Sequence, residues 1–364
     1  MRVGIIDADL IGKKKHRFPN LVCMKLSSYH KQRGDDVELV MTYDTLEIYD
    51  KVYISKVFTD TYVPAWAINA PWVEHGGTGF YYDKAKPLPD EIEHIMPDYH
   101  LYDAFVENAF SHGASKSEMK YYTDYSIGFT TRGCIRGCSF CVNKNYRQCL
   151  KHSPVSEFLD ESRPYICLLD DNVFSCKDWK DIFEELNTTG KRFQFKQGMD
   201  ERLLTDEKCE VLFNSNWIGN YIFAFDNIND RRIIEKKLQL IRRHTNKRVT
   251  FYCFCAYNHD KPEVYDSDFW RNDIADLFER IKILMSYQSA PYIMRYKDYE
   301  MSPYRGIYTA VAAWCNQPGI LKSMSFREFC ERKNKSTQRY LRDFDEKHHD
   351  IAKQYFDMKW SDFE

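Results

Sequence analysis

The sequence predicts an α/β protein with two successive parts: a smaller Rossmann-like, doubly wound parallel sheet and then a partial (β/α)6 barrel of the TIM type. Short apolar runs alternate with segments of helical apolar spacing along most of the chain. This order is typical of parallel sheets covered by helices. A polar stretch near Ser115–Lys120 separates the two sets of strands. We therefore expect residues 1–118 to form the Rossmann-like unit with a connector, residues 119–320 the barrel, and residues 321–364 a C-terminal helical extension.

In the first unit, strands are predicted at Arg2–Asp7, Val37–Met41 and Lys51–Phe58, with a helix near Pro19–Gln32. Strand–helix–strand order favours a parallel sheet. Residues 78–120, in which prolines mark the turns, are predicted to be the connector.

The second set of strands begins with Tyr125–Thr131. Five further strands are predicted at Tyr165–Leu169, Arg192–Phe195, Tyr221–Phe225, Arg248–Cys255 and Tyr292–Arg295. Helices are predicted between them at Trp179–Leu186, Asp206–Phe213, Asp230–Arg243 and Phe269–Met285. Six parallel strands with outer helices would curl into an incomplete barrel, whose chamber is bordered by the carboxyl ends of the strands.

Three cysteines, Cys134, Cys138 and Cys141, follow the first barrel strand at C-x3-C-x2-C spacing. Three thiolates this close in sequence can bind one metal centre. A [4Fe-4S] cluster held by three cysteines has one iron left for a substrate or a cofactor. Gly133 and Gly137 would let the loop fold back, so that its amides can point at the sulfur atoms of the cluster.

This spacing, with Phe140 directly before the third cysteine, resembles the cluster motif of the radical S-adenosylmethionine (radical SAM) superfamily. The resemblance covers about residues 120–320. It implies a [4Fe-4S] cluster and SAM as cofactors, cleavage of SAM to a 5′-deoxyadenosyl radical that abstracts a hydrogen atom from the substrate, and an electron donor such as flavodoxin or ferredoxin. In the family, the position after the second strand contacts the amino group of SAM, which here indicates Asp170 or Asp171. Either residue could instead cap a helix.

Other polar residues at strand ends are candidates for binding SAM or a polar substrate. Gln197, Asp200 and Arg202 follow the third strand and could bind the ribose hydroxyls and the carboxylate of SAM. Asp226 follows the fourth strand, where relatives often bind ribose, although it could also cap a turn.

Cys253 and Cys255 alternate on the fifth strand, so their side chains are predicted to point the same way. They could line the chamber. Buried cysteines on a strand are more often part of the core, and we favour that interpretation.

The first unit carries a second resemblance. Asp7–Gly12 ends the first strand, Ser55–Val57 ends the third, and Gly76–Gly77 follows in a loop. Their order resembles the signature of the cobalamin-binding domain, D-x-H-x-x-G, then S-x-L, then G-G. Asp9 occupies the position of the histidine that is the lower axial ligand to cobalt, so that ligand is missing, although related radical enzymes bind cobalamin without it. The resemblance implies cobalamin as a further cofactor and methyl transfer as the reaction. Alternatively, these are ordinary loop residues at strand ends.

Two other classes of protein stay open. In a non-catalytic protein with a zinc or iron–sulfur site, Cys149 or His152 could be a fourth zinc ligand. In a non-radical nucleotide-binding enzyme the cysteines would be structural.

The composition sets outer limits. The chain has 364 residues, twelve cysteines and a formal net charge of -2, which gives no global electrostatic case for nucleic-acid binding. No apolar run is long enough to span a membrane and no signal peptide opens the chain, so we expect a cytoplasmic protein with reduced thiols and no membrane partner. The substrate is predicted only as a small molecule, a peptide or a nucleobase.

Overall fold

The structure is a computed structural model that describes residues 1–13, 16–143, 147–262 and 264–364. The chain divides into two compact units. The first comprises Met1–Gly137 and Cys141–Gln194, and the second comprises Cys138–Phe140 and Phe195–Glu364.

The strands of the first unit are β1 Arg2–Asp7, β2 Asp36–Leu39, β3 Lys51–Ser55, β4 Val73–Gly76, β5 Tyr125–Gly128, β6 Thr131–Arg132, β7 Leu150–Lys151, β8 Tyr165–Leu168 and β9 Arg192–Phe195, which ends at the boundary. Its α-helices are α1 Ala8–Gly12, α2 Leu21–Gln32, α3 Ala65–Ile68, α4 Thr78–Tyr81, α5 Asp90–Glu93, α6 Asp103–Ser111, α7 Lys116–Thr123 and α8 Trp179–Thr188. Short 3-10 helices lie at Leu46–Ile48, Tyr82–Lys84, Val155–Glu157 and Val173–Ser175.

The amino-terminal sheet has the strand order β2-β1-β3-β4, and every neighbouring pair is parallel. The apolar run in β1 is buried from Val3 onward, which explains why this strand is central. The predicted parallel sheet is therefore confirmed. β4 was not predicted, because its sequence, Val-Glu-His-Gly, contains no apolar run.

Four α-helices, α4 to α7, begin in the predicted connector and were not predicted. α7 begins with a capping box in which the Ser115 hydroxyl accepts from the backbone N–H of Glu118 and the Glu118 carboxylate accepts from the backbone N–H of Ser115. This S-x-x-E sequence was a usable signal for a helix start. α7 runs through residue 118 and leads directly into β5.

A second sheet of the first unit has the order β5-β8-β9, with β5 and β8 parallel. β6 and β7 form a separate antiparallel pair, in which Thr131 is opposite Lys151 and Arg132 is opposite Leu150. This pair closes the segment 133–149, which contains the three motif cysteines. We call this segment the cysteine loop.

The second unit contains the strands β10 Tyr221–Ala224, β11 Val249–Cys255 and β12 Ala290–Arg295. Its α-helices are α9 Asp206–Asn214, α10 Arg231–His244, α11 Ser267–Ser286, α12 Arg305–Cys315, α13 Pro318–Ser323, α14 Phe326–Glu331, α15 Lys335–Lys347 and α16 His349–Tyr355. Short 3-10 helices lie at Glu201–Leu203, Ile228–Asp230, Lys297–Met301 and Trp360–Phe363.

The sheet β10-β11-β12 is parallel throughout. Cys253 and Cys255 on β11 are fully buried, whereas Tyr252 and Phe254, which alternate with them, are partly exposed. The two cysteines therefore lie in the core of this unit, as we favoured.

The protein is a mixed α/β protein with parallel sheets. Among the described residues, the six predicted barrel strands lie in two three-stranded sheets and form no closed barrel. The partial barrel and the predicted domain boundaries stay predictions. In the ranges that the structure describes, no helix combines the length and the apolar character needed to span a membrane.

Candidate functional site

The three motif cysteines differ from the rest in exposure. All twelve cysteines lie in the described part of the chain; nine of them are buried, and only Cys134, Cys138 and Cys141 are partly exposed. Burial in apolar surroundings makes a thiol inert, whereas a metal ligand has to be reachable. The motif cysteines are therefore the ones that a metal centre from solution can reach.

Asp170 lies two residues after β8 and is only 2% exposed. Its carboxylate accepts hydrogen bonds from the backbone N–H and the hydroxyl of both Thr130 and Thr131, at 2.6 to 3.0 Å. Burial raises the pKa of Asp170, and these four hydrogen bonds oppose that rise. Asp170 thus fastens the chain that leads into the cysteine loop. Its predicted contact with the amino group of SAM stays a prediction and would have to compete with these bonds.

The next two residues also bind this part of the chain. Asp171 Oδ2 accepts from the backbone N–H of Gly133 at 2.9 Å, and Asn172 Nδ2 donates to Cys134 Sγ at 3.3 Å. No described residue is a hydrogen-bond partner of Asp171 Oδ1 or of the buried Asn172 Oδ1. Of the two predicted aspartates, Asp171 is therefore the one with an acceptor left for an ammonium group.

The cysteine sulfurs accept further hydrogen bonds. The backbone N–H of Arg136 lies 3.3 Å from Cys134 Sγ, and that of Asn143 lies 3.4 Å from Cys141 Sγ. Hydrogen bonds to sulfur are typical of the thiolates that bind iron–sulfur clusters, so these donors fit such a group.

The geometry of a complete metal site stays a prediction. Cys134 and Cys141 belong to the first unit, whereas Cys138 belongs to the segment Cys138–Phe140 of the second. No group of three or more Cys, His, Asp or Glu side chains in the described ranges is placed so that it could hold a metal ion.

The two candidates for a fourth zinc ligand have other partners. Cys149 Sγ donates to the carbonyl oxygen of Asn172 at 3.3 Å, and His152 Nε2 lies 3.0 Å from Glu93 Oε1. Neither arrangement favours zinc.

Glu93, which the sequence did not single out, is the centre of a buried ionic cluster. Its Oε1 lies 2.9 Å from Lys25 Nζ, 3.0 Å from a guanidinium nitrogen of Arg132 and 3.0 Å from His152 Nε2. Burial acts to raise the pKa of Glu93, but the hydrogen bond from His152 and the charges of Lys25 and Arg132 outweigh it and hold the pKa well below its usual range. Because Arg132 and His152 flank the cysteine loop, Glu93 ties both ends of the loop to α2 and α5.

In the second unit, Asp200 and Arg202 lie together. Arg202 donates from Nε to Asp200 Oδ1 and from a terminal nitrogen to Asp230 Oδ2, both at 2.7 Å. Gln197 is exposed. Asp226 has a different hydrogen-bond partner from Asp200 and Arg202: its Oδ1 accepts from the backbone N–H of Phe254 at 3.0 Å.

Asp226 therefore links the end of β10 to β11. Burial raises its pKa, while the hydrogen bond from Phe254 and the charge of Arg280 oppose the rise. The structure leaves the predicted roles of all four residues toward SAM as predictions.

Comparisons with known proteins add one distant likeness. No protein-family model matches the chain, and no curated protein matches it. Among solved structures, it is similar to the cobalamin-dependent S-adenosylmethionine radical enzyme OxsB with aqua-cobalamin and S-adenosylmethionine bound, with a TM-score of 0.34 and 10% identity. The similarity to OxsB with aqua-cobalamin bound has a TM-score of 0.34 and 11% identity.

Both likenesses cover 97% of this chain and 56% of the OxsB chain. The chain thus spans little more than half the length of OxsB. A likeness with this TM-score carries no argument about fold or activity.

Glu201 is a second buried acid that the sequence did not single out, although it stands between Asp200 and Arg202. It is 1% exposed, and its Oε2 accepts from the backbone N–H of Ala224 at 3.1 Å. Burial, together with the charge of Asp200, raises the pKa of Glu201 to about 8. The carboxyl group is therefore largely protonated at neutral pH.

This pKa predicts a pH-dependent stability. A carboxyl whose pKa is raised by folding stabilises the folded state below its unfolded value of 4.5, and that contribution is lost as the pH rises through about 8. Glu201→Gln keeps an acceptor for Ala224 but cannot ionise. We expect the substitution to be more stabilising at alkaline than at mildly acidic pH, by about 3 kcal/mol. Urea unfolding at both pH values measures this.

The control is Glu210→Gln, which removes an exposed carboxyl from α9. An equal pH dependence in both variants would contradict the role assigned to burial of Glu201.

Proposed function

We propose that this chain is a radical SAM enzyme that binds a [4Fe-4S] cluster through Cys134, Cys138 and Cys141. The observation that carries the proposal is that these three, alone among the twelve cysteines, are partly exposed. They follow β5 in the spacing that the cluster motif requires. The substrate is a molecule from which the 5′-deoxyadenosyl radical abstracts a hydrogen atom.

When bound, the cluster would supply the electron that cleaves SAM. The chain's own residues would hold and orient the reactants. Asp170, Asp171 and Asn172 fix the start of the cysteine loop, and the N–H donors to Cys134 and Cys141 would stabilise negative charge on sulfur. We propose that Asp171 Oδ1 accepts a hydrogen bond from the amino group of SAM, because no residue that the structure describes donates to this oxygen.

The remaining predicted residues are proposed for other parts of SAM. Gln197 and Arg202 are assigned to its carboxylate or to a polar substrate, and Asp200 and Asp226 to the ribose hydroxyls. Each has a polar group of the kind that these parts require.

A cobalamin-dependent radical SAM methyltransferase is the second candidate, and the first unit favours it. In the parallel register, Asp7 is opposite Ser55 and Ser55 is opposite Gly76, so the three parts of the signature meet at one edge of the sheet. The Asp9 carboxylate accepts from the backbone N–H of Val57 at 2.6 Å and from the Thr61 hydroxyl. Asp9 is therefore used within the protein, and cobalamin would bind without a ligand from this position.

Large side chains on the segments that follow β3 and β4 are unusually exposed, by 39% to 76%. They are Phe58, Tyr62, Trp66, Tyr81 and Tyr82. Exposed aromatic surface next to the signature edge suits a large planar ring such as a corrin. Bound cobalamin would supply a methyl group for transfer.

The test is anaerobic reconstitution with iron and sulfide, followed by reduction with dithionite and addition of SAM. We expect about four iron and four sulfide per chain and formation of 5′-deoxyadenosine, detected by chromatography. Stoichiometric zinc without cleavage would overturn the proposal and leave a non-catalytic metal-binding protein. Adding cobalamin to the same sample, and following its absorption spectrum and retention on gel filtration, tests the second candidate.

A further inference from the structure

A short segment of the second unit has a charge opposite to that of the whole chain. Residues 231–248 contain eight lysines and arginines and one acidic residue, Glu235, although the formal net charge of the chain is -2. The segment comprises α10 and the turn that leads into β11. Such a local excess of positive charge indicates a polyanionic partner more directly than the global charge does.

Four of these cations have partners that hold them within the protein. Lys237 donates to the backbone carbonyl oxygen of Leu204 at 2.7 Å. Arg231 pairs with Glu235 at 3.2 Å and with Glu279 at 2.7 Å. Arg242 donates to backbone carbonyl oxygens at 2.7 to 3.2 Å, and Lys247 donates to another at 2.7 Å. These side chains stabilise the fold.

Other cations line an open groove beside α10 with a volume of about 710 Å³. Arg232, Lys236 and Arg243 are exposed there. The part of the chain that the structure describes provides no hydrogen-bond or ion-pair partner for Arg232 or Lys236. Among the described lining residues only Asp206 is acidic, and it lies 2.8 Å from His244 Nε2 and 3.6 Å from a guanidinium nitrogen of Arg243.

The cations form a stripe along the helix. Arg232, Lys236 and Arg243 stand at i, i+4 and i+11, with Gln239 at i+7, so they lie on one face. At 1.5 Å per residue the stripe is about 16 Å long, with about 6 Å between the first two cations. A row of separated charges of this kind matches a polymer with a regularly repeated negative charge.

We propose that this groove, which we call the α10 groove, binds the phosphodiester backbone of a nucleic acid. A membrane surface is disfavoured because the apolar side of α10, with Ile234, Leu238 and Ile241, is buried in the unit and cannot insert into lipid. A protein partner is disfavoured because none of the groove's described lining residues is aromatic, and the largest exposed apolar side chain among them is Ile233.

A smaller cavity of about 190 Å³ begins at the end of the same segment. Arg248 and Lys322 line it, and none of its described lining residues is acidic. Arg248 thus places a further cation beyond the end of α10. Contacts to phosphates position a nucleic acid without reading its bases, so we expect little sequence preference.

The inference does not rest on the proposed radical chemistry, and its test needs neither cluster nor SAM. The full-length protein is titrated into fluorescently labelled RNA single strands and DNA duplexes of about 20 nucleotides, long enough for several phosphate contacts. Anisotropy is followed at several salt concentrations. We expect saturable binding, and we expect the logarithm of the association constant to fall linearly with the logarithm of the salt concentration. Comparison of the two probes distinguishes RNA from DNA as the ligand.

The decisive variant is Arg232→Gln/Lys236→Gln/Arg243→Gln. We expect it to weaken binding on the order of 100-fold at 0.1 M salt and to reduce the salt slope by about 2 to 3. The matched control is Arg332→Gln/Lys333→Gln/Lys335→Gln, which removes the same charge from exposed positions at the end of α14 and the start of α15. The control is expected to change binding less than about threefold.

Circular dichroism and thermal melting verify that both variants fold. Absence of saturable binding at low salt would overturn the proposal, as would equal weakening by the two triple variants. Groove-dependent binding to phosphatidylglycerol vesicles, without binding to either nucleic acid, would replace it with a membrane surface.

Discussion

Cys138→Ala is expected to abolish cluster binding and SAM cleavage, whereas Cys149→Ala is expected to leave both nearly unchanged. The first substitution removes one of the three proposed thiolate ligands. The second removes a thiol that is only 5% exposed and donates to the carbonyl oxygen of Asn172. Iron and sulfide content after anaerobic reconstitution, and 5′-deoxyadenosine formed from SAM, measure the two effects.

These two variants also distinguish an iron–sulfur cluster from a structural zinc site. Loss of metal in both variants would indicate a site of four thiolates, as in structural zinc proteins. Retention of iron in Cys138→Ala would remove this cysteine from the cluster. Cys134→Ala and Cys141→Ala should behave as Cys138→Ala does, because a cluster held by three cysteines has no spare ligand.

Glu93→Ala is expected to destabilise the protein by about 3 to 5 kcal/mol, because it leaves the buried ammonium of Lys25 without its carboxylate. It also frees Arg132 and His152, so we expect poorer cluster retention. Urea unfolding of the unreconstituted protein measures the free energy of unfolding. The control is Glu91→Ala, at an exposed position of the same helix, for which we expect a change below about 1 kcal/mol.

The contribution of Glu93 should depend on pH. Because its pKa is lowered by folding, the stabilisation is present above the unfolded value of 4.5 and is lost as the pH falls toward the depressed folded value. Equal destabilisation by Glu93→Ala and Glu91→Ala, or a Glu93 effect that grows as the solution is acidified, would contradict this account of the cluster.

The sequence predicted strands well where the spacing of apolar residues matches the side of the strand that is buried. β1 and β9 have the predicted bounds. β1 contains a buried apolar run, and in β9 the buried Phe193 and Phe195 alternate with the more exposed Arg192 and Gln194. β4 was missed because it lacks such a run. Contacts between distant residues were missed for another reason: Glu93 and its partner Lys25 are 68 residues apart, and nothing in the sequence of α5 distinguishes Glu93 from Glu91.

The candidate site shows the same limit. The sequence indicated that acids at the end of β8 matter. It could not show that Asp170 binds Thr130 and Thr131, because that depends on the pairing of β5 with β8. Net charge likewise concealed the excess of cations on α10, since acidic residues elsewhere cancel it in the total.

The bonds from Asp170, Asp171 and Asn172 to residues 130–134 bear on how the protein recovers after oxidative damage. Each of these bonds has its donor and its acceptor in the polypeptide itself, so ordering this part of the chain is an entropic cost of folding and not of cofactor uptake. If the chain binds the proposed cluster, a protein that has lost this cluster to oxygen would therefore keep Cys134 oriented. We expect such a protein to be repaired by reloading iron and sulfide, without a cycle of unfolding and resynthesis.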